Sequence, residues 1–203
     1  MNFADLTELQ IDAIREVGSI GAGHAATALS QLTGRPIDIS VPVLELIPFT
    51  EVPHVLGGPE RLVGAVYVRL LGDVAGGMLF MADRDSALAL VDLLRDRPVR
   101  TTRSFGRDEE RLLTHAATIL IGAYLAAIAR LTDMDVLPSS SAFALDMAGA
   151  ILEVATLEAN MFAEDALLVR TTFSNEESTA DAALLFLPDP SSLEVILGRL
   201  GVV

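Results

Sequence analysis

The sequence predicts an α+β fold in which two helix–strand–helix–strand–strand–helix units, an internal duplication, share one antiparallel sheet. Three observations lead there. Segments recur in the same order: Ala28-Leu-Ser-Gln-Leu-Thr33 resembles Ala127-Ile-Ala-Arg-Leu-Thr132, and Met78-Leu-Phe-Met-Ala-Asp83 resembles Leu184-Leu-Phe-Leu-Pro-Asp189. Such collinear similarity marks a repeat. Helical and strand periodicities alternate along the chain. Half of the 203 residues are apolar, enough for a sizeable core. We expect one domain over residues 1–203, with unit one at about 1–97 and unit two at about 104–203.

Each unit opens with a long helix, expected at 5–33 and 107–132. A strand follows at 36–46 and 135–144, then a short helical piece at 50–57 and 146–157. Strands come next at 61–71 with 74–82, and at 165–174 with 180–187. The alternation in Arg61-Leu-Val-Gly-Ala-Val-Tyr-Val-Arg-Leu70 and the β-branched run in Leu167-Leu-Val-Arg-Thr-Thr-Phe173 support strands. Closing helices begin after Asp83 and Asp189, whose short carboxylates suit N-caps, and Pro190 fits a first helical position. The charged, Pro-containing segment 94–103 is the connection between units.

Acidic residues outnumber basic ones 28 to 14, and every basic residue is arginine. The net charge of −14 opposes direct binding to nucleic acid or to an anionic membrane. A dense carboxylate surface suits solubility in strong salt, a halophilic setting, where repulsion is screened. A coding bias toward arginine is the alternative. The chain has no cysteine, which excludes disulfides, thiolate metal sites and a cysteine nucleophile. Its N-terminus lacks the basic start of a secretory signal, and the apolar stretches read as too short or too polar to span a membrane. A cytoplasmic location is therefore expected.

At 100° per residue, Ile14, Val17, Gly21, Ala25, Ala28 and Leu32 fall on the core side of the first helix. Asp12, Glu16, Ser19 and Gly23 fall on the opposite side, with Leu9 and Ile20 flanking Glu16. Apolar residues around an exposed carboxylate suit a docking surface. A solvated helix face is the plainer reading. In the second helix, Leu113, Leu120, Tyr124, Ala127 and Leu131 form the expected core side. Arg111, His115, Thr118 and Gly122 form the exposed side. Asp12 and Glu16 thus correspond to Arg111 and His115, so a cation drawn to the first face is not drawn to the second.

Gly21-Ala-Gly23-His-Ala-Ala26 fits a relaxed dinucleotide-binding pattern, but a helix precedes it where that motif needs a strand and a tight turn. Close packing of the helix on the sheet explains the small residues. His24, His54 and His115 show no metal-ligand spacing, and no serine triad motif is present. No metal site is expected.

The stretch from Asp12 through Glu16, Ser19 and Gly21-Ala-Gly-His-Ala-Ala-Thr-Ala-Leu-Ser-Gln-Leu-Thr33, followed by Pro42, resembles the CheC family of chemotaxis phosphatases. The second unit is similar too: Ile119-Leu-Ile-Gly-Ala-Tyr-Leu-Ala-Ala-Ile and Asp146-Met-Ala-Gly-Ala-Ile match family segments. The resemblance runs nearly end to end. It implies hydrolysis of the aspartyl phosphate of a CheY-type response regulator, with Glu16 docking the regulator and position 19 orienting the attacking water. It implies no cofactor of the chain's own, since Mg²⁺ comes with the regulator. Many members of the family also bind the receptor deamidase CheD. Asp12 and Asp146 fall in the matching segments, and with Leu9 and Ile20 from the helix pattern they are the expected partner-contact residues. The chain departs from the family at its site. Ser19 stands where the family has Asn, and His115, Thr118 and Ser141 replace Glu, Asn and Pro in the second site. A hydroxyl is shorter than an amide and lacks its fixed donor–acceptor pair. The second site reads as degenerate.

Two readings stay open. One is a one-site phosphatase using Glu16 and Ser19. The other is a non-catalytic module that binds a regulator, CheD or motor-associated proteins. A flagellar-switch scaffold fits less well, because such members usually lack the Glu motif.

Overall fold

The computed structural model describes residues 6–40, 43–158, 165–176 and 178–202. The chain runs α1 (Glu8–Thr33), β1 (Asp38–Ile39), β2 (Val43–Pro48), a 3₁₀ turn leading into α2 (Val52–Val55), β3 (Leu62–Gly72), β4 (Gly76–Asp83) and α3 (Arg84–Leu94). The same order then repeats as α4 (Arg107–Thr132), β5 (Val136–Pro138), β6 (Ala142–Met147), α5 (Ala148–Glu158), β7 (Asp165–Ser174), β8 (Thr179–Pro188) and α6 (Pro190–Arg199). The strands at 36–46 and 135–144 were each expected to be continuous; both are interrupted. Residues 146 and 147, expected in a helix, end strand β6.

All strand pairings are antiparallel, in one eight-stranded sheet ordered β1-β7-β8-β4-β3-β5, with β2 also on β7 and β6 also on β3. Strands β4 and β8 lie side by side at the middle of the sheet. Leu79 faces Leu185, with Met78 opposite Phe186 and Phe80 opposite Leu184. Toward the edges each half lends a strand to the other: Val43 of β2 faces Arg170 of β7, and Ala142 of β6 faces Tyr67 of β3. Among the described residues β2 has no strand partner in its own half. Each half's sheet is therefore completed by the other.

Alternation sorts each strand's side chains to two faces. Val66, Val68, Met78, Phe80, Val169 and Leu184 point into a core closed by α1, α3, α4 and α6. Val63, Ala65, Leu79, Met81, Leu168 and Leu185 point the other way, under α5 and α2. Helix α4 is long and apolar enough to cross a membrane by length and composition alone, yet half of its most apolar window is buried inside the structure. In this fold Leu113, Ala117, Leu120, Ile121 and Leu125 bury its apolar side against the sheet and α1. Leu32 and Leu131 were expected in the core but are 42% and 39% exposed. Leu32 lies in the last turn of α1, past the end of its buried stripe at Leu29, whereas Leu131 sits beside a stripe that continues through Ile128 to Thr132.

Asp83 and Asp189 cap α3 and α6. The Asp83 carboxylate accepts from Asp85 N at 3.0 Å, Ser86 N at 3.3 Å and Ser86 Oγ at 2.6 Å. Partial burial pushes its pKa up, but the bonds from Ser86 and Asp85, with Arg61, outweigh that and hold it below the ordinary 3.8. A carboxylate with a lowered folded-state pKa stabilises above its unfolded value, and that contribution is lost as pH falls through the folded one. Asp83→Ala is expected to cost about 1 kcal/mol at neutral pH. Urea titrations across pH should show the gap to wild type narrowing in acid below about pH 4.

Candidate functional site on the first helix

Helix α1 begins with a reciprocal cap. Thr7 Oγ1 accepts from Gln10 N at 3.4 Å, and Gln10 Oε1 accepts from Thr7 N at 2.9 Å. Gly34, at φ +71°, ends the helix in the left-handed conformation that glycine adopts freely. Between these ends the buried stripe is Gln10, Val17, Gly18, Gly21, Ala22, Ala25 and Leu29. Gly21 sits against Tyr124 of α4, where a Cβ would lie 2.9 Å from Tyr124 Cγ. The small residues thus serve helix–helix contact, where contact with the sheet was expected. Among the described residues the buried Tyr124 hydroxyl has no hydrogen-bond partner, and that burial pushes its pKa up.

This docking geometry fixes what α1 shows to solvent. Asp12, Glu16, Ser19 and Gly23 are all exposed. Arg15 donates to Asp12 at 2.8 Å, an exposed ion pair worth little in stability but enough to occupy one Asp12 oxygen. The i, i+3 spacing of Asp12 and Arg15 is legible in the sequence. Among the described residues, Glu16 and Ser19 have no ion-pair or side-chain hydrogen-bond partner. They lie three residues apart, so their Cβ atoms are neighbours on one helix face, about 5–6 Å apart. Leu9, two turns before Glu16 on the same helix, is 64% exposed. Ile20 is not a free apolar neighbour: it is half-buried and packs on the core, because it lies beside Gly21 at the edge of the buried stripe. Pro42 lies outside the described residues.

The matching face of α4 differs in shape as well as charge. Arg111 and His115 are exposed. Thr118 and Gly122, expected outside, are half-buried. The Thr118 hydroxyl donates to the Thr114 carbonyl at 2.7 Å, so its proton is committed to the backbone. Arg111, His115, Thr118, Ser141 and Phe143 line an open groove of about 860 Å³. Phe143 comes from the distant strand β6, and no local sequence signal places it there. Asp146 is exposed on β6, its Oδ1 accepting from Met147 N at 2.7 Å. His24 and His54 are exposed. Among the described residues no group of three or more His, Asp or Glu is placed to hold a metal.

Comparison with known proteins follows the same outline. The model of the CheC-like family matches residues 9–46, which take in Asp12, Glu16, Ser19 and Gly23. The chain is 34% identical to the CheY-P phosphatase CheC of Bacillus subtilis (strain 168) over 203 residues, covering 98% of this chain and 97% of that protein. A 90-residue stretch, 44% of this chain, is 34% identical to the flagellar motor switch phosphatase FliY of the same organism, of which it spans 23%. The crystal structure of Thermotoga maritima FliY matches with a TM-score of 0.78 at 17% identity, over 97% of this chain and 98% of that one, which shows a shared fold. With near-complete coverage of a relative at this identity, the chain belongs to the CheC-like family.

Proposed function

We propose that the chain is a chemotaxis protein that docks on a phosphorylated CheY-type response regulator through the outer face of α1 and hydrolyses its aspartyl phosphate weakly, at this one site. The observation that carries the proposal is the joint exposure of Asp12, Glu16 and Ser19, with Glu16 unpartnered among the described residues. A carboxylate without an internal cation is available to one on another protein. Glu16 has that role here, and Ser19 holds the water. The water oxygen attacks phosphorus, the bond to the aspartyl oxygen breaks, and a carboxylate and inorganic phosphate result. An acyl phosphate is already labile, so placing one water in line is the main task. Mg²⁺ belongs to the regulator's site.

The Ser19 hydroxyl favours a second reading, docking without chemistry, because it reaches less far than the amide that the resemblance leads one to expect. Motor-associated partners and CheD come with that reading, CheD through Asp146 on the exposed strand β6.

Decay of a phosphorylated regulator with and without the chain separates the two. Acceleration that Glu16→Ala abolishes supports the phosphatase. Ser19→Asn is then expected to raise the rate on the order of tenfold or more, since a misplaced catalytic group costs up to about 10²-fold. Acceleration by Ser19→Asn alone supports docking without chemistry. If neither form binds any regulator, both readings fail in so far as they rest on a regulator.

A further inference from the structure

Basic residues are scarce in this chain, all of them arginine, and unevenly placed. Arg97, Arg100, Arg103, Arg107 and Arg111 fall within residues 97–111, against Asp108, Glu109 and Glu110. Elsewhere acidic residues dominate. All five arginines are exposed. Among the described residues none of the five forms an ion pair, although carboxylates outnumber arginines two to one. Glu109 is already taken by Arg95 at 2.5 Å.

The loop that carries these side chains is held in place. Asp92 of α3 is fully buried and accepts from Thr101 N at 3.0 Å, Thr102 N at 3.0 Å and Thr102 Oγ1 at 2.5 Å. Arg84 Nη2 donates to the Arg103 carbonyl at 2.6 Å. Arg100 sits at φ +74°, a left-handed conformation that costs a non-glycine residue about 1–2 kcal/mol. Arg100 and Arg103 therefore project from either side of a pinned Thr101–Thr102 pair. The basic run continues onto α4, where Arg107, Arg111 and His115 occupy the helix positions that Glu8, Asp12 and Glu16 hold on α1. Two grooves are lined by residues of this run. One, of about 620 Å³, is lined by Arg84, Arg100, Arg103 and Thr102, with Asp85 and Asp181. The other is the 860 Å³ groove of Arg111 and His115, with Leu112 and Phe143 as apolar lining and Asp108 and Glu110 also present.

We propose that this strip, from Arg97 to His115, is a second docking surface, and that it binds an acidic peptide segment of a partner protein with apolar residues among its carboxylates. Guanidinium groups without an ion pair among the described residues, carried on an anchored backbone, match carboxylates two at a time. Leu112 and Phe143 accept apolar side chains. The net charge of −14 selects a short segment over nucleic acid or a membrane. An extended polyanion feels the whole chain's repulsion, whereas a short peptide lies within the ~8 Å screening length of the strip.

The test is fluorescence anisotropy of a labelled short peptide of Glu, Asp and Phe against the full chain, at low and at physiological salt. Saturable binding is expected, weakened about tenfold in Arg100→Ala/Arg103→Ala/Arg111→Ala. The control Arg69→Ala/Arg130→Ala/Arg199→Ala removes the same charge from arginines elsewhere that form no ion pair among the described residues, and it should bind like wild type. All six side chains are exposed, and circular dichroism melts verify that both variants fold. No saturable binding, equal loss in the control, or tighter binding to a single-stranded oligonucleotide or to phosphatidylserine vesicles would each overturn the proposal.

Discussion

Asp92→Ala is expected to lower stability by about 3–5 kcal/mol, a large share of what a domain of this size has. The carboxylate is fully buried. Its two oxygens accept from two backbone N–H groups and one hydroxyl of Thr101 and Thr102, with a further approach of Thr102 N to the second oxygen at 3.2 Å. Alanine removes every acceptor at once and leaves those donors facing a cavity, where an unsatisfied buried group costs about 1–3 kcal/mol. Asp92→Asn keeps the shape and one acceptor oxygen but turns an amide N–H toward a donor, so an intermediate loss is expected. Urea unfolding should rank wild type, Asn and Ala in that order. Equal stability of all three would mean that the inter-half loop is not held by this residue. In the Asn variant, which should remain folded, freeing the loop should also weaken acidic-peptide binding if Arg100 and Arg103 need fixed positions.

The clamp shows where sequence reading stops. The segment 94–103 was legible as a charged, Pro-containing connection. That Asp92, two residues before it, turns inward to meet Thr101 and Thr102 is a three-dimensional fact without local periodicity. The long helix at 107–132 and the strand at 165–174 were legible to the residue, because period and flanking breakers agree there. The outward direction of Glu16 and Ser19 was legible too, since helix angle alone sets it. Ile20 and Thr118 were misplaced because they sit at the edges of their stripes. There burial depends on the neighbouring element, which the helical wheel does not contain. The exchange of β2 and β6 between halves was out of reach for a different reason: strand partners are non-local, and the Val43–Arg170 register leaves no local mark in the sequence.

Gly21→Val is expected to be the most damaging single change on α1, costing about 3 kcal/mol or more, although valine is the better helix former. A Cβ at Gly21 would meet Tyr124 Cγ at 2.9 Å, its Cα at 3.0 Å and Cδ1 at 3.1 Å. The clash with the Tyr124 backbone decides the sign. A ring can rotate aside, but the backbone of α4 moves only with the helix, and α4 is fixed by Leu113, Leu120 and Leu125 in the core. Gly21→Ala sets overpacking of about 1–3 kcal/mol against a helix-propensity gain of about 1 kcal/mol, so a smaller net loss is expected. Gly23 is the internal control. It lies on the same helix with nothing within 4 Å of its would-be Cβ. Gly23→Ala should therefore stabilise by about 0.5–1 kcal/mol. Thermal melts of the three variants carry the test. Opposite signs for Gly21→Ala and Gly23→Ala would tie the loss to the α1–α4 packing that turns Asp12, Glu16 and Ser19 outward. A shared sign would show that α1 shifts freely on α4, and the fixed presentation of those three residues would lose its physical basis.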